Sequence, residues 1–382
     1  MRVGLVGVGR AGGAVVDALA ATAERSRVAP VDAAVAIDTD EQHLAALSAV
    51  PEGNRALVGQ VETAGRGTNG DQERAVEVAG GATAELRAAL DAVPASTDAV
   101  FLVVGLAGGT GGGIGPCVAE LLSETLTQPL YGVGVLPSDA EDEAGEHAAR
   151  AMRALRALRE PATDVLLADL DRWRRTDADV ETAYGPADGD LAAALWSLVA
   201  ASETSGSAPT PERTLDASEV VNTLQGGGVA TLARAENDLP TDESGGGGLV
   251  DTVKNVFGDA TPEVDDVTAE RLVTTTTREA LHAEAFVDDG VAGAARAAVV
   301  VDAPAHYILR EGIERATGIV EDETGSVAVR AGDRPRPNSD VLGVTVLLSG
   351  VTGLPRLDEL EARTREYLDG TPDDHGSDLS VD

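Results

Sequence analysis

Lysine is almost missing from this chain of 382 residues. Lys254 stands alone, and the basic residues total 29 against 65 Asp and Glu, a formal charge of −36. A surface of that sign repels nucleic acid and anionic lipid, so neither is expected as a partner. In dilute buffer the like charges push the chain apart. In molar salt the screening length falls to about 3 Å and the repulsion fades. The composition therefore reads as a protein of a high-salt cytoplasm, expected to lose compactness below about 0.1 M salt.

Cysteine is nearly absent too. Cys117 alone cannot form an internal disulfide, and no CxxC or Cys/His cluster exists to hold zinc. The 5 histidines are scattered, which gives a metal centre little support. No segment approaches 18 uninterrupted apolar residues, and strand-like sequence begins at Met1. Neither a membrane span nor a signal peptide is expected. GxxxxGK[ST] does not occur and no lysine adjoins a glycine run, which removes P-loop NTPases and protein kinases.

What the chain has is glycine, placed where strands give way to helices. The first 200 residues alternate "RVGLVGV" (2–8), "AAVAID" (33–38), "RALVG" (55–59), "AVFLVV" (99–104), "LYGVGVL" (130–136) and "DVLLAD" (164–169) with helical stretches. Those helices are expected near 11–23, 41–48, 71–93, 113–125 and 143–159. Near-continuous apolar strands alternating with helices predict an α/β, doubly wound parallel sheet whose ligands bind beyond the strands' carboxyl ends. A long helix over 188–203 and the breaker-rich "TSGSAPTPE" (204–212) mark a domain boundary. Beyond it, helices near 216–225, 266–282, 309–321 and 356–368 and strands at 229–235, 295–302, 326–332 and 341–350 predict a smaller α+β domain. "ENDLPTDESGGGGL" (236–249), continuing to about 261, reads as a mobile insertion, and the polar tail from 369 to 382 as disordered.

Phosphate loops need small residues so that backbone N–H groups converge on the anion at a helix N-terminus. "GVGRAGG" (7–13) follows the first strand and satisfies GxGxxG, which taken singly suggests an NAD(P)-dependent oxidoreductase. A denser loop, "AGGTGGG" (107–113), and a third turn, "GRGTNGDQE" (65–73), sit at other strand or helix junctions. A dinucleotide fold needs one such loop. Three point to a polyphosphate wrapped by backbone.

With these motifs the chain resembles the tubulin/FtsZ superfamily, most closely its CetZ branch from halophilic archaea. The phosphate motif GGGTG(S/T)G appears as "AGGTGGG", and "NRALVGQ", "DRWRRT", "VVNTLQGGGVATL", "IVEDETGSVAVRAGD" and "TVLLSGVTGLPRL" look like CetZ segments in CetZ order. The resemblance runs from Met1 to about Arg365. It implies a GTPase domain over 1–187, a central helix and linker over 188–212, and a C-terminal α+β domain over 213–368. It also implies a cofactor assignment of GTP or GDP, with Mg2+ held mainly by the nucleotide.

By the same resemblance, Gly9, Arg10, Ala11, Gly12 and Gly13 would hold phosphates together with Gly108, Gly109, Thr110, Gly111, Gly112 and Gly113. Gly65, Gly67 and Gly70 would close over the terminal phosphate, and Asp71 would approach magnesium through water. Glu141 would meet the ribose, Tyr184 would stack on the base, and Asp188 stands where the family usually has a guanine-reading asparagine. A carboxylate accepts two hydrogen bonds and guanine's N1–H and N2–H2 offer two donors, so the exchange is chemically sensible. The chain departs from the family at Ala107, at Gly112 and at Leu170, where relatives carry a polar contact. Gly185-Pro186 leaves the register between Tyr184 and Asp188 open.

"TLDASEV" (214–220) matches the family loop that reaches a neighbour's nucleotide, with Asp216 and Glu219 at the acidic positions and Thr214 in place of asparagine. The same Asp-x-x-Glu is also a capping box, and the two roles are compatible. The implied protein is a cytoskeletal GTPase that self-associates head to tail into filaments, hydrolyses GTP at the junctions and serves cell shape, with adaptor proteins as further partners. The alternative is a nucleotide-binding relative with weak or no hydrolysis.

Overall fold

The strands form where Val, Leu, Ala and Gly run together, because helices cover both faces and neither face needs polar residues. The computed structural model describes residues 1–26, 28–142, 144–169, 180–203, 209–240, 265–284 and 293–370, with backbone alone at 141, 180–187, 283 and 284. Its strands are β1 (Val3–Val8), β2 (Val31–Asp38), β3 (Arg55–Leu57), β4 (Ala99–Gly105), β5 (Leu130–Leu136), β6 (Asp164–Asp169), β7 (Val229–Asp238), β8 (Arg296–Ala303), β9 (Val329–Pro335) and β10 (Val341–Val351). They join in one sheet of order β3-β2-β1-β4-β5-β6-β7-β10-β8-β9. From β3 to β7 every pairing is parallel, whereas β10 runs antiparallel to both β7 and β8. The two halves meet through a short β6–β7 ladder, Leu166 to Ala230 and Leu167 to Thr231.

The first half carries α1 (Gly9–Arg25), α2 (Glu41–Ala46), α3 (Gln60–Thr63), α4 (Gln72–Gly81), α5 (Thr83–Leu90), α6 (Gly109–Thr125) and α7 (Glu146–Arg159). Then come the central α8 (Val180–Ala200), α9 (Ala217–Thr223), α10 (Asp266–Glu284), α11 (Arg310–Thr324) and α12 (Pro355–Gly370). Alternate residues of β1 and β4 feed two cores. Val6, Val8, Leu102 and Val104 pack with Ile114 and Leu155, and Leu5, Phe101 and Val103 pack with Val16, Leu191 and Leu198. That second core continues under β7, β8 and β10 through Leu232, Val300 and Leu347, so α8 ties both halves together. Each such buried aliphatic side chain contributes about 1.5–3 kcal/mol.

Several boundaries depart from the sequence reading. The second glycine run is helical from Gly109, four residues earlier than the pattern predicts. The 71–93 stretch divides into α4 and α5 at Ala82, just after the poor helix formers Gly80 and Gly81. The strand expected over 55–59 stops at Leu57, because Gly59 turns left-handed with φ of 61° to start α3. Residues 236–238, read as loop, extend β7 and pair with Gly343, Leu342 and Val341 of β10. The central helix begins at Val180, so Gly185 and Pro186 lie within it and Tyr184 and Asp188 are one turn apart. Leu170, "DRWRRT", most of the insertion and the tail beyond 370 lie outside the described residues.

Candidate functional site

From β1 the chain winds through β2 to β3 on one side, then crosses to β4 on the other. Such a switch in strand order leaves a crevice at the carboxyl ends. A cleft of about 500 Å³ opens there, walled by Gly9–Ala11, Ala107–Gly111, Gly67–Gly70 and the end of β5.

Two of the helices that start at this cleft, α1 and α6, start bare. α2, α4 and α9 each have an Asp at the N-cap and an acid in the first turn. α1 and α6 have neither, with Val8 and Gly108 as N-caps and no side-chain cap bond. In a chain with 65 acidic residues their absence from two adjacent helix ends is informative. The first-turn N–H groups need acceptors, and the positive helix ends favour an anion.

The glycines serve packing more than ligand. A Cβ on Gly111 would lie 2.6 Å from the Gly105 carbonyl, and one on Gly113 would lie 2.7 Å from the Gln72 carbonyl. On Gly12 it would strike the Val103 carbonyl. At Gly9, whose φ is +74°, a Cβ would lie 2.8 Å from the Gly111 nitrogen. Gly108 differs. Its nearest neighbour would be 3.5 Å away, so the fold tolerates a side chain there, and its smallness keeps the cleft wall open.

Within an acidic protein the lining comes close to charge balance: Arg10, Arg66 and Arg150, with His43 and His147, face Asp38, Asp40 and Asp188. His43 Nδ1 lies 3.1 Å from Asp38 Oδ2, and this hydrogen bond raises the imidazole above its ordinary pKa. The Thr110 and Thr39 hydroxyls are 2.7 Å apart and tie the start of α6 to the end of β2. Burial pushes the Asp188 carboxyl up to about 7 despite the opposing charge of Arg10. Asp188 Oδ1 and Thr68 Oγ1 are buried with no hydrogen-bond partner. Unpaired buried polar atoms are costly, and a bound polar molecule would satisfy both.

The acidic loop lies elsewhere, ahead of α9. Asp216 Oδ1 accepts from the Glu219 N–H at 2.9 Å and the Ser218 hydroxyl at 2.7 Å, and Glu219 Oε2 accepts from the Asp216 N–H at 3.0 Å. The Ser218 hydroxyl, helped by the Glu219 N–H, holds the Asp216 carboxyl below its usual range. The capping box is complete, Asp216 is exposed, and neither acid lines this chain's own cleft.

Residues 2–176 match the Tubulin/FtsZ family GTPase domain, and residues 177–366 match the Tubulin-like CetZ C-terminal domain. Tubulin-like protein CetZ3 of Haloferax volcanii is 35% identical over 363 residues, 95% of this chain and 91% of that protein. The chain belongs to the tubulin-like CetZ family. CetZ5 of the same organism is 36% identical over 96% of this chain and 92% of its own. The GDP-bound monomer of CetZ1 from Haloferax volcanii superposes with a TM-score of 0.80 at 31% identity, covering 96% of this chain and all of that one. The GTPγS-bound protofilament of CetZ2 gives 0.80 at 32%, covering 97% and 99%. CetZ membership removes the dinucleotide oxidoreductase alternative.

Of the residues singled out in the sequence, Gly9, Arg10, Ala11, Gly67, Gly70, Gly108, Gly109, Thr110, Gly111 and Asp188 come together on the cleft wall of this CetZ chain. Gly12, Gly13, Gly65, Gly112 and Gly113 stand behind it. Asp71 is also off the wall; its carboxylate caps α4 through the Arg74 N–H at 2.9 Å. Glu141 ends a single turn after β5, and its side chain, like that of Tyr184, lies outside the described residues. The sequence reading passed over Asp38, Asp40, His43, Arg66, His147 and Arg150. "AIDTDEQH" (36–43) carried a usable signal, since it continues a strand past its carboxyl end with polar residues. His147 and Arg150 carried none, because only α7's packing turns them inward.

Proposed function

We propose that this CetZ chain binds GTP in the cleft, hydrolyses it and assembles head to tail into filaments that serve cell shape in a high-salt cytoplasm. The observation that carries the reading is the pair of bare helix N-termini, α1 and α6, converging on one cleft beside Arg10. Their N–H groups and Arg10 would hold the phosphates, with the Gly65–Gly70 turn closing over the terminal one and Arg66 and Arg150 beside it. Glu141 would meet the ribose. Asp188 would accept from guanine N1–H and N2–H2, with Tyr184 one turn earlier on α8 stacked on the base. Among the described residues no group of three or more His, Cys, Asp or Glu side chains is arranged to hold a metal. Mg2+ would therefore travel with the nucleotide, and Asp71 would reach it only through water.

Phosphoryl transfer passes through a loose transition state, so positioning dominates its catalysis. Asp216 and Glu219 would orient and polarise the attacking water against the nucleotide of the next subunit. The capping box keeps that exposed loop rigid enough to do so. A heterologous, non-closing contact of this kind generates filaments by symmetry. The CetZ2 protofilament with bound GTPγS supports such assembly in a relative of the same fold.

The test is turnover against protein concentration in molar KCl. Turnover per molecule should rise with concentration, because junctions complete the site. Asp216→Ala should bind GTP normally, lose roughly 100-fold or more in turnover, and depress wild-type turnover in mixtures beyond simple dilution. If Asp216→Ala melts at a lower temperature yet keeps wild-type turnover, Asp216 is a cap and nothing more.

A further inference from the structure

Around the cleft the 65–70 turn and the helices α4 and α7 each place a polar side chain where a glycine lacks its Cβ. The Thr68 hydroxyl presses on Gly109, the Arg150 guanidinium lies over Gly70, and the Gln72 amide fills the space over Gly112. Gln72 opens α4 and is 5% exposed. Its Nε2 lies 2.8 Å from the Leu106 carbonyl, 3.3 Å from that of Gly108 and 3.3 Å from that of Arg150. Three carbonyls around one nitrogen fix the amide's orientation, since an oxygen there would face only acceptors. One side chain thus spans the Leu106–Gly108 loop, the start of α4 and the middle of α7.

A Cβ at position 112 would land on that amide nitrogen and on the Leu106 carbonyl. The carbonyl is held there by the Gln72 side-chain Nε2–H itself. Residues 72 and 112 are therefore linked twice, by shared volume and by the carbonyl both approach.

We propose that Gln72 is the positioning residue of the phosphate cradle. Its amide takes the volume that a side chain at 112 would occupy and fixes the Leu106–Gly108 backbone and that of Arg150 at the spacing the nucleotide needs. The proposal rests on the cleft being the nucleotide site. It assigns Gln72 no contact with the ligand; it acts through the backbone it holds.

The experiment is a double-mutant cycle on the full chain in molar KCl, with Gln72→Ala, Gly112→Ser and the pair. GTP affinity by calorimetry, turnover and melting temperature are read on each. Gly112→Ser and Gln72→Ala should each lose at least about tenfold in affinity, and the pair should lose much less than the product of the two, because the amide that a Cβ at 112 would strike is already gone. Additive losses would overturn the proposal. Gln72→Met separates positioning from filling, since it keeps the length and lacks the donors. It should melt near wild type while its affinity falls roughly tenfold; wild-type affinity in Gln72→Met would overturn the positioning role. If the unaltered chain fails to bind GTP, the nucleotide reading falls by itself. The 72/112 link is then judged on melting temperature alone, where additive shifts refute it.

Discussion

Asp188 and Asp302 are both buried carboxylates touching the same helix, and they are treated in opposite ways. Asp302 on β8 is fully buried, accepts from the α8 residue Ser197, and pairs with Arg234 at 2.7 Å and with Arg334. Burial works to raise it, but Arg334 and Arg234 together outweigh burial and hold it below the usual carboxylate range. Asp188, nine residues before Ser197 on α8, keeps one oxygen unpaired, and burial carries it up to about 7. A carboxylate whose partners belong to the fold is part of the scaffold. One whose partners are missing, at the edge of a cleft, is poised for a ligand's donors. One helix thus joins a finished polar cluster in the second half to an unfinished one in the first.

The largest effect should come from breaking the finished cluster. Asp302→Ala leaves Arg234 buried with one counter-charge fewer, a loss of about 3–5 kcal/mol. Thermal and chemical unfolding in molar KCl would measure it. Because the folded pKa lies below the unfolded one, this stabilisation is present above about pH 4 and is lost as pH falls through the folded value. A cost under that of Asp188→Ala would invert the comparison.

Asp188→Asn should do the reverse and stabilise the ligand-free chain. Here the folded pKa, about 7, exceeds the unfolded value of about 3.9, so ionisation costs stability as pH rises between them. Removing that charge should return about 2–4 kcal/mol at pH 8 and nothing below about pH 4. Identical melting curves for the two proteins across that range would mean that Asp188 finds a partner in the ligand-free state.

The smallest effect concerns the ligand. Asp188→Ala should weaken GTP binding by about 1.5–3 kcal/mol, the worth of hydrogen bonds to a charged group, and leave ATP binding unchanged, because adenine offers no such pair of donors. Guanine's two donors favour the ionised carboxylate, so wild-type affinity should fall as pH drops below about 7. Asp188→Asn should bind GTP with no such pH dependence. Calorimetry from pH 6 to about 8 compares the three, and a flat wild-type profile would remove the base-reading role.

The sequence by itself determined the layout. Apolar runs such as "AVFLVV" alternating with helical stretches mark buried parallel strands, and the glycine-rich turns mark the cleft, so the parallel half of the sheet, the three cleft loops and the family could be read directly. Asp216 and Glu219 could be read as a capping box because spacing alone defines one. Tertiary structure decided what the glycines are for. Whether Gly112 leaves room for a phosphate or for Gln72 depends on where α4 lies against α6, forty residues apart in the chain. It also decided that Arg150 turns into the cleft and that Asp188 is left wanting a partner while Asp302 has three. Burial and pairing belong to the surroundings that distant segments assemble, and a carboxylate's local sequence carries no record of them.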